Sequence, residues 1–213
     1  MTALVLLSGG QDSVFCLMRA MEDDCEVSCI GFDYGQLHKK ELDYASGLCN
    51  SLDVPFKTVD VRFLQELGMS SLTRNGESPF VTNRNALFLT VGHAEAQVIG
   101  ANRLYAGFCQ TDFNGFTDCR EEFLQAFVAS LNLGYNATIE LVTPLLFKTK
   151  SEMLEEAERK GFMNNLLNAV TCYKGSDIIN EWGNGCGTCP SCEQRRKGWE
   201  SFIQQKLITM TED

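Results

Sequence analysis

The amino terminus carries the feature that most constrains the fold, a short apolar run that leads directly into a loop with two glycines. Residues 4–7 are all apolar, which is typical of a strand buried on both faces in a parallel sheet. Residues 8–10 read Ser-Gly-Gly, and glycine lets the backbone turn tightly and approach a ligand closely. Apolar residues then recur at helical spacing from Val14 to Met21. The loop therefore delivers its amides to a helix N-terminus, which predicts an anion-binding site.

This loop differs from the common P-loop of kinases and ATPases. The P-loop reads G-x-x-x-x-G-K-[ST], with a lysine that reaches the terminal phosphates, whereas no lysine follows the glycines here. The six residues Ser8–Ser13, called the phosphate loop below, instead resemble the S-G-G-x-D-S loop of the ATP pyrophosphatase superfamily. Those enzymes split ATP between its α- and β-phosphates to adenylate a substrate oxygen. The alternative is an ordinary strand-to-helix turn with a serine cap, and the six-residue match after a buried strand argues against it.

Strand and helix patterns alternate along the chain. The expected strands are residues 4–7, 27–32, 56–61, 104–107 and 139–142, with helical apolar stripes between them. Five such units predict an α/β fold with a doubly wound, mainly parallel five-stranded sheet. A ligand would bind beyond the carboxyl ends of the strands, where the loops after Leu7, Phe32 and Gly107 converge.

Local signals also mark the carboxyl-terminal part of the chain. Thr149 and Glu152 fit a capping box for a helix that ends near Lys160, with Gly161 directly after it. We expect residues 1–165 to form the ATP-binding domain and residues 166–213 to form a carboxyl-terminal segment packed on it. The short polar tail after Thr209 is expected to fray.

Composition excludes several functional classes. No apolar run is long enough to span a membrane, and no signal-peptide pattern opens the chain, so a cytoplasmic location is expected. The net charge of −10 argues against a large nucleic-acid-binding surface. The basic stretches 39–40 and 195–197 are interpreted as solvated helix faces.

Ten cysteines are many for a chain of 213 residues, and a cytoplasmic location argues against a disulfide framework. Six are scattered and are interpreted as small apolar residues; these are Cys16, Cys25, Cys29, Cys49, Cys109 and Cys119. The other four are Cys172 and the C-x₂-C-x₂-C run of Cys186, Cys189 and Cys192. Four clustered thiolates predict a closed, structural tetrahedral zinc site, and an iron–sulfur cluster is the alternative.

Four further motifs point to one family. In chain order they are Phe32-Asp33-Tyr34-Gly35-Gln36 with His38 and Glu41, Arg84-Asn85, residues 111–116 followed by Asp118-Cys119-Arg120, and Thr171-Cys172-Tyr173. Together with the phosphate loop and the cysteines, they resemble the 7-cyano-7-deazaguanine synthase family from Leu4 to about Gly198. The resemblance implies a PP-loop fold of the adenine nucleotide alpha-hydrolase-like type. It also implies an ATP-dependent ligase that converts 7-carboxy-7-deazaguanine and ammonia into the nitrile base preQ0 through adenylated acid and amide intermediates.

The resemblance also assigns roles to residues. The residues that it places at ATP, with Mg²⁺ nearby, are Ser8, Gly9, Gly10, Gln11, Asp12, Ser13, Phe32 and Tyr34. The candidates for catalysis are Ser8, Asp12, Ser13 and Lys150. The lysines are chosen for their chemistry, because the charge of Lys148 or Lys150 would neutralise phosphate charge. The candidates for binding the deazaguanine substrate are Arg84, Asn85, Asp112, Asp118 and Arg120. Zinc on the four cysteines and a homodimer complete what the resemblance implies.

The chemistry of these side chains agrees with such roles but leaves alternatives open. A carboxylate accepts the N–H donors of a deazaguanine base, and an arginine fork binds a carboxylate. Asp118 also fits a capping role for a helix that begins near Arg120, and Arg84 also fits a pair with a surface acid. Asn83 stands where the family usually has glycine, and asparagine tolerates the left-handed geometry of that turn.

Two other functions remain open from the sequence. One is an adenylating enzyme that transfers the activated deazaguanine carboxylate to a different amine, such as a protein. The other is a zinc-stabilised module that binds nucleotide without catalysis, which the intact phosphate loop argues against. Neither the basic segments of tRNA thiolases nor the glutaminase part of GMP synthetases is recognisable in this chain.

Overall fold

The computed structural model describes residues 1–23, 26–36, 39–66, 83–109 and 117–212. The main strands are β1 (Thr2–Leu6), β2 (Glu26–Asp33), β3 (Phe56–Asp60), β4 (Arg103–Tyr105) and β5 (Glu140–Val142), and β6 (Ile179–Asn180) with β7 (Gly183–Asn184) forms a small hairpin. The helices are α1 (Gln11–Glu22), α2 (Lys40–Ser51), α3 (Arg84–Val98), α4 (Glu121–Tyr135), α5 (Lys150–Arg159), α6 (Met163–Asn168) and α7 (Pro190–Glu212). Short 3-10 helices cover Arg62–Glu66 and Thr117–Cys119.

The predicted α/β fold with a five-stranded parallel sheet is confirmed. The strand order is β3-β2-β1-β4-β5, and every neighbouring pair in it is parallel. The chain moves outward from β1 through β2 to β3, and then returns to the other side of β1 as β4. In such sheets the crevice for a ligand lies at this switch point, beyond the carboxyl ends of β1 and β4.

Side chains on the two faces of β1 enter two separate hydrophobic clusters. Ala3 and Val5 pack with residues of α1, α2, α5, α6 and α7 on one face. Leu4 points to the opposite face, where it packs with residues of α3 and α4 such as Leu89 and Leu124. Because successive side chains of a strand alternate between faces, a strand covered by helices on both sides needs a continuous apolar run. This is why residues 4–7 predict the position of β1 correctly.

Helix α5 follows its local sequence signals. The Thr149 hydroxyl accepts from the Glu152 amide, and the Glu152 carboxylate accepts from the Thr149 amide, which confirms the capping box. Gly161 follows the helix with φ of +80°, the left-handed geometry expected of a residue directly after a helix. The Asn83 turn before α3 is also left-handed, with φ of +55°.

The carboxyl-terminal part departs further from the sequence expectations. Helix α7 continues to Glu212 rather than fraying after Thr209, and the Thr209 and Thr211 hydroxyls donate to carbonyls of its own backbone. Phe202 of α7 and Leu166 of α6 belong to the same hydrophobic cluster as β1. The division at residues 165 and 166 stays a prediction. Within the described residues, no helix has the length and apolar character that crossing a bilayer would require.

Candidate active site and metal centre

The phosphate loop is held by the hydroxyls of its two serines. The Ser13 hydroxyl accepts from the amides of Ser8 and Gly9, both at 3.2 Å, and donates to the Gly10 carbonyl at 2.9 Å. The Ser8 hydroxyl accepts from the Gly10 amide at 3.2 Å. Ser8 itself is exposed, whereas Gln11 and Ser13 in the first turn of α1 are buried. The two hydroxyls thus hold the loop in a defined conformation at the helix N-terminus, the part of a helix that favours anions.

Two other segments press against Gly9. Its φ of +92° belongs to the region that favours glycine, and a Cβ at this position would overlap the carbonyl oxygen of Glu41 in the first turn of α2. On the other side, the Val170 amide donates to the Gly9 carbonyl at 3.0 Å. Gly10, in contrast, has φ of −75°, which any residue adopts. We expected the turn to require glycine at both positions, but the backbone geometry requires it only at Gly9.

Asp12 and Lys150 form an ion pair at the start of α1. The Lys150 side chain is 12% exposed, and its Cβ lies 2.5 Å from where a Cβ on Gly198 of α7 would stand. The loop after β4 also reaches this point, because a Cβ on Gly107 would be 2.9 Å from the Asp12 carbonyl carbon. The loops after β1 and β4 therefore meet as expected, and the first turn of α2, which follows the loop after β2, lies against Gly9.

Lys148 forms its ion pair away from the phosphate loop, in contrast to Lys150. Its Nζ donates to the Glu156 carboxylate at 2.5 Å, and Glu156, which is 6% exposed, also pairs with Arg19. These two cations lower the pKa of Glu156 against the opposing effect of burial, the largest single influence. Of the two lysines considered from the sequence, Lys150 is the one at the phosphate loop.

Aromatic rings flank Arg84 at the N-terminus of α3. Its guanidinium carbon lies 5.7 Å from the ring centroid of Tyr34 and 6.0 Å from that of Phe88. Phe88 stacks on Phe32 with 4.2 Å between centroids. The Arg84 Nε is buried without a hydrogen-bond partner among the described residues, and Arg84 has no ion pair there. The alternative of a pair with a surface acid thus finds no support in the described part of the chain.

Burial shifts two acidic groups near Arg84. It raises the pKa of Glu41 to about 7, although the positive charge of Arg84 opposes this shift. Burial likewise raises the pKa of the Tyr34 phenol to about 12. Glu41 belongs to a motif recognised from the sequence, but no role was assigned to it there.

Three of the remaining substrate candidates are described. Asp118 Oδ1 is buried without a hydrogen-bond partner in the described ranges. Arg120, the residue before α4, is exposed, and no side chain caps that helix, so Asp118 is not its cap. The Asn85 amide donates to Cys119 Sγ at 3.5 Å, which joins the start of α3 to the turn that carries Asp118. Asp112 and His38 lie outside the described residues.

The four clustered cysteines form one thiol group. The Sγ atoms of Cys172, Cys186, Cys189 and Cys192 all lie within 4.8 Å of one another. A tetrahedral ion with Zn–S bonds of about 2.3 Å would hold sulfurs roughly 3.8 Å apart. The amide and hydroxyl of Thr188 donate to Cys186 Sγ, which lowers the pKa of that thiol to about 6. The donor set therefore fits a single metal ion.

The comparisons with known proteins agree with this geometry. A family described as queuosine biosynthesis protein QueC matches residues 2–203. The chain belongs to the QueC family. A 7-cyano-7-deazaguanine synthase of Helicobacter pylori (strain P12) is 36% identical over 221 residues, which cover 96% of this chain and 97% of that protein. The prediction of a ligase-type enzyme of this family is confirmed.

Solved structures resemble this QueC-family chain in fold. An NMN synthetase from Francisella tularensis has a TM-score of 0.53 at 13% identity, and the match covers 92% of this chain and 83% of that one. A U34-tRNA thiolase, NcsA, from Methanococcus maripaludis with its [4Fe-4S] cluster has a TM-score of 0.51 at 14% identity. That match covers 93% of this chain and 63% of the thiolase. At such low identities the likeness concerns the fold alone.

Arg195 is a residue of this QueC-family chain that the sequence interpretation placed wrongly. It was interpreted as part of a solvated helix face, but it is 3% exposed, while Arg196 and Lys197 are exposed. Its guanidinium donates to the Thr171 hydroxyl and to four carbonyls, those of Leu166, Leu167, Ala169 and Asn184. The spacing along the sequence indicates this burial, because Arg195 stands three residues after Cys192 and so lies on the same face of the helix as that clustered cysteine.

The five described scattered cysteines agree with their interpretation as small apolar residues. Cys16, Cys29, Cys49, Cys109 and Cys119 are all buried, and Cys25 lies outside the described residues. Cys109 also points its Sγ at Asp12 Oδ2, at 3.9 Å. His93 is buried and bonds to Asn132 and Gln97, which agrees with a polar role in the core.

Proposed function

We propose that this protein is an ATP-dependent ligase that converts 7-carboxy-7-deazaguanine and ammonia into 7-cyano-7-deazaguanine, or preQ0. The observation that carries the proposal is the similarity to a synthase of that name over 96% of this chain and 97% of the relative. The family match, which spans residues 2–203, contains the whole proposed site. The phosphate loop lies at its start, and the four cysteines lie near its end.

The ATP phosphates bind at the phosphate loop in this proposal. The amides at the N-terminus of α1 and the exposed Ser8 hydroxyl offer hydrogen-bond donors to an anion. Lys150 supplies a positive charge at the same place, since it pairs with Asp12. Asp12 is the loop carboxylate that would hold Mg²⁺ brought with ATP, and the ion would neutralise phosphate charge. Phe32 of β2 and Tyr34, directly after that strand, are the aromatic residues assigned to the nucleotide in this proposal.

The deazaguanine base binds near the start of α3. Arg84 offers a guanidinium with a buried and unpartnered Nε, and Asp118 offers a buried and unpartnered carboxylate oxygen in the described ranges. The arginine suits the substrate carboxylate, and the aspartate suits N–H donors along the base edge. Asn85 joins these two residues through Cys119. Asp112 and Arg120 stay candidates from the sequence.

The reaction requires two activations at the same site. A carboxylate is a poor electrophile because its oxide is a poor leaving group. Attack of a carboxylate oxygen on the α-phosphorus of ATP forms an O–P bond and expels pyrophosphate. Ammonia then forms a C–N bond, the C–O bond to AMP breaks, and the amide results. The amide oxygen attacks a second ATP in the same way, and loss of AMP with two N–H protons leaves the nitrile.

The four cysteines would hold zinc in a structural role. Four protein ligands leave no open position for water or substrate, so the ion supplies stability and no chemical step. The thiol spacing supports one ion, because all four sulfurs lie within 4.8 Å of one another, whereas a cubane iron–sulfur cluster has to fit between its ligands. The homodimer and the cytoplasmic location implied by the sequence stay predictions.

The test is product analysis by mass spectrometry with 7-carboxy-7-deazaguanine, ATP, Mg²⁺ and ammonia. We expect the nitrile as product, the amide as a transient species, and two AMP and two pyrophosphate per nitrile. The variant K150M should lose AMP formation, because the charge beside Asp12 is removed. K148M is the matched control, since Lys148 pairs with Glu156 instead, and it should keep the activity at reduced stability. A reaction that stops at the amide, or transfer of the activated acid to a protein amine, would disprove nitrile synthesis.

A further inference from the structure

A carboxyl group without an assigned role borders the phosphate loop. Glu41 lies in the first turn of α2, and its backbone carbonyl occupies the space that a side chain on Gly9 would need. The side chain is half-buried, and in the described ranges it has no hydrogen bond or ion pair. A carboxyl group that is removed from water and left without partners is costly. Such an arrangement at a ligand site indicates a function.

The groups that face Glu41 come from two neighbouring segments. Arg84 approaches from α3, and its charge opposes the effect of burial on the Glu41 carboxyl. Tyr34 approaches from the loop after β2, and the charge of Glu41 contributes to the raised pKa of its phenol. The preceding lysines on its own segment are engaged elsewhere, Lys39 with Asp33 and Lys40 with Asp177. The backbone of Glu41 thus lies against Gly9 of the phosphate loop, and its half-buried carboxyl group lies within the influence of the Arg84 charge.

The proposed reaction needs a proton acceptor at this place. Nitrogen enters as ammonia, which carries three N–H bonds, and leaves as a nitrile nitrogen with none. One proton departs when the C–N bond of the amide forms and the C–O bond to AMP breaks. Two more depart when the adenylated amide loses AMP to give the nitrile. A base that accepts these protons has to lie beside the carbon that is adenylated at the phosphate loop.

The other candidate bases in the described part of the chain have other observed or proposed contacts, and Asp118 is the carboxylate proposed to accept from the edge of the base. Asp12 pairs with Lys150. His93 is buried between α3 and α4, where Asn132 and Gln97 bond to its two ring nitrogens. Glu41, in contrast, has no hydrogen bond or ion pair within the described ranges, and its pKa of about 7 is close to the value that suits proton transfer at neutral pH.

We propose that Glu41 is the general base that removes the protons of the attacking nitrogen during amide and nitrile formation. This role rests on the proposed function. The carboxylate takes one N–H proton as the amide forms and passes it to solvent. It then takes the N–H protons of the adenylated amide as the C–O bond to AMP breaks with its electron pair. Adenylation itself requires no base, because the attacking carboxylate oxygen carries no proton.

The test separates adenylation from proton removal. In E41Q, nitrile formation should fall at least about 100-fold, whereas exchange of pyrophosphate into ATP driven by the carboxylate substrate should stay within about twofold. At a constant concentration of free ammonia, the parent rate should rise through about pH 7, and E41Q should lose this dependence. E41D should recover part of the rate. D43N is the matched control, because Asp43 is exposed in the same helical turn and should behave as the parent.

A second readout does not depend on activity. Between pH 4.5 and about pH 7, the Glu41 carboxyl group is protonated in the folded protein but ionised in the unfolded chain, because folding raises its pKa. The parent therefore loses stability as pH rises through this window. E41Q should melt at a higher temperature than the parent at pH 8, and the difference should shrink towards pH 5. D43N should show no such trend.

The outcomes distinguish this role from the others. An unchanged nitrile rate in E41Q overturns the proposal. So does a parallel loss of pyrophosphate exchange and nitrile formation, because this would indicate a role in substrate binding or folding. If the parent makes no nitrile, the proposed function itself fails. If the parent makes nitrile and E41Q behaves as the parent, the proposed role of Glu41 is wrong, whereas the proposed function of the protein stands.

Discussion

At the scale of single residues, the two glycines of the phosphate loop differ in backbone geometry and in the space available for a side chain. Gly9 has a positive φ and lies against the Glu41 carbonyl, so both its backbone geometry and its missing side chain are needed. At Gly10 the φ is ordinary, and a Cβ would stand 3.3 Å from Ser8 Oγ and from Thr171 Cγ2. A small side chain is therefore accommodated at Gly10 with a slight shift, whereas none fits at Gly9.

The first prediction concerns G9A. The added methyl group should displace α2 from the loop, lower the free energy of unfolding by about 2 kcal/mol and abolish ATP-dependent AMP release. The measurements are thermal unfolding and ATP affinity. G47A is the control, because Gly47 is a helical residue with open space around it, and this change should stabilise the protein by up to about 1 kcal/mol. Wild-type ATP affinity in G9A would place the nucleotide elsewhere.

At the scale of single elements, the N-terminus of α5 presents Lys150 to the phosphate loop. The capping box fixes the direction of this helix, since Thr149 and Glu152 bond to each other's backbone amides. Lys150 is the next residue after the cap, and its side chain reaches Asp12 across 138 positions of sequence. The cap and the lysine that reaches the phosphate loop thus lie in the same turn of α5.

The second prediction concerns T149A. Loss of the cap should cost about 1 kcal/mol of stability and reduce AMP formation, because the backbone that carries Lys150 is less fixed. T90A is the control, since the Thr90 hydroxyl bonds within α3 to the Ala86 carbonyl, and its effect should stay below about 0.5 kcal/mol. If T149A and T90A lowered stability and AMP formation equally, the prediction that the cap positions Lys150 would be wrong.

The cap also has a pH signature. Hydrogen bonds from the Thr149 amide and hydroxyl lower the pKa of Glu152 below its ordinary 4.5. A lowered carboxyl pKa adds stability above the ordinary value, and this stability is lost as pH falls through the folded-state pKa. The stability difference between the parent and T149A should therefore shrink as the pH falls below 4.5. Chemical unfolding at a series of pH values measures it.

At the scale of the whole molecule, residues near the carboxyl terminus contact the backbone that supports the phosphate loop. The Arg195 guanidinium donates to the Ala169 carbonyl and to the Thr171 hydroxyl, which flank Val170, the residue whose amide donates to the Gly9 carbonyl. Trp199 and Phe202 of α7 pack on the cluster that includes β1. The thiol group at the start of α7 is thus coupled to the phosphate loop through one short stretch of backbone.

The third prediction concerns C192S. Removal of one thiolate from a closed site should lower stability by more than about 3 kcal/mol and release the metal. Elemental analysis of the parent should find about one zinc per chain. S191A is the control, because the neighbouring hydroxyl lies outside the thiol group. Iron with a visible absorption band in the parent would show that the site holds an iron–sulfur cluster.

The sequence by itself determined the features that depend on neighbours along the chain. The apolar run of residues 4–7, the phosphate loop, the capping box of α5 and the spacing of the clustered cysteines are all local patterns. Backbone geometry and periodicity act over a few residues, so these patterns specify their own structure. The alternation of strand and helix patterns then predicted the parallel sheet, because parallel strands need crossover helices.

Only the tertiary structure decided which distant side chains meet. Lys148 and Lys150 are equivalent as residues, yet Lys148 pairs with Glu156 of α5 and Lys150 pairs with Asp12 of α1. Arg195 and Arg196 are adjacent, yet the rotation of α7 buries the first and exposes the second. Burial raises the pKa of Glu41, and this effect outweighs the opposing charge of Arg84. These outcomes depend on contacts between segments far apart in sequence, where no local pattern carries the information.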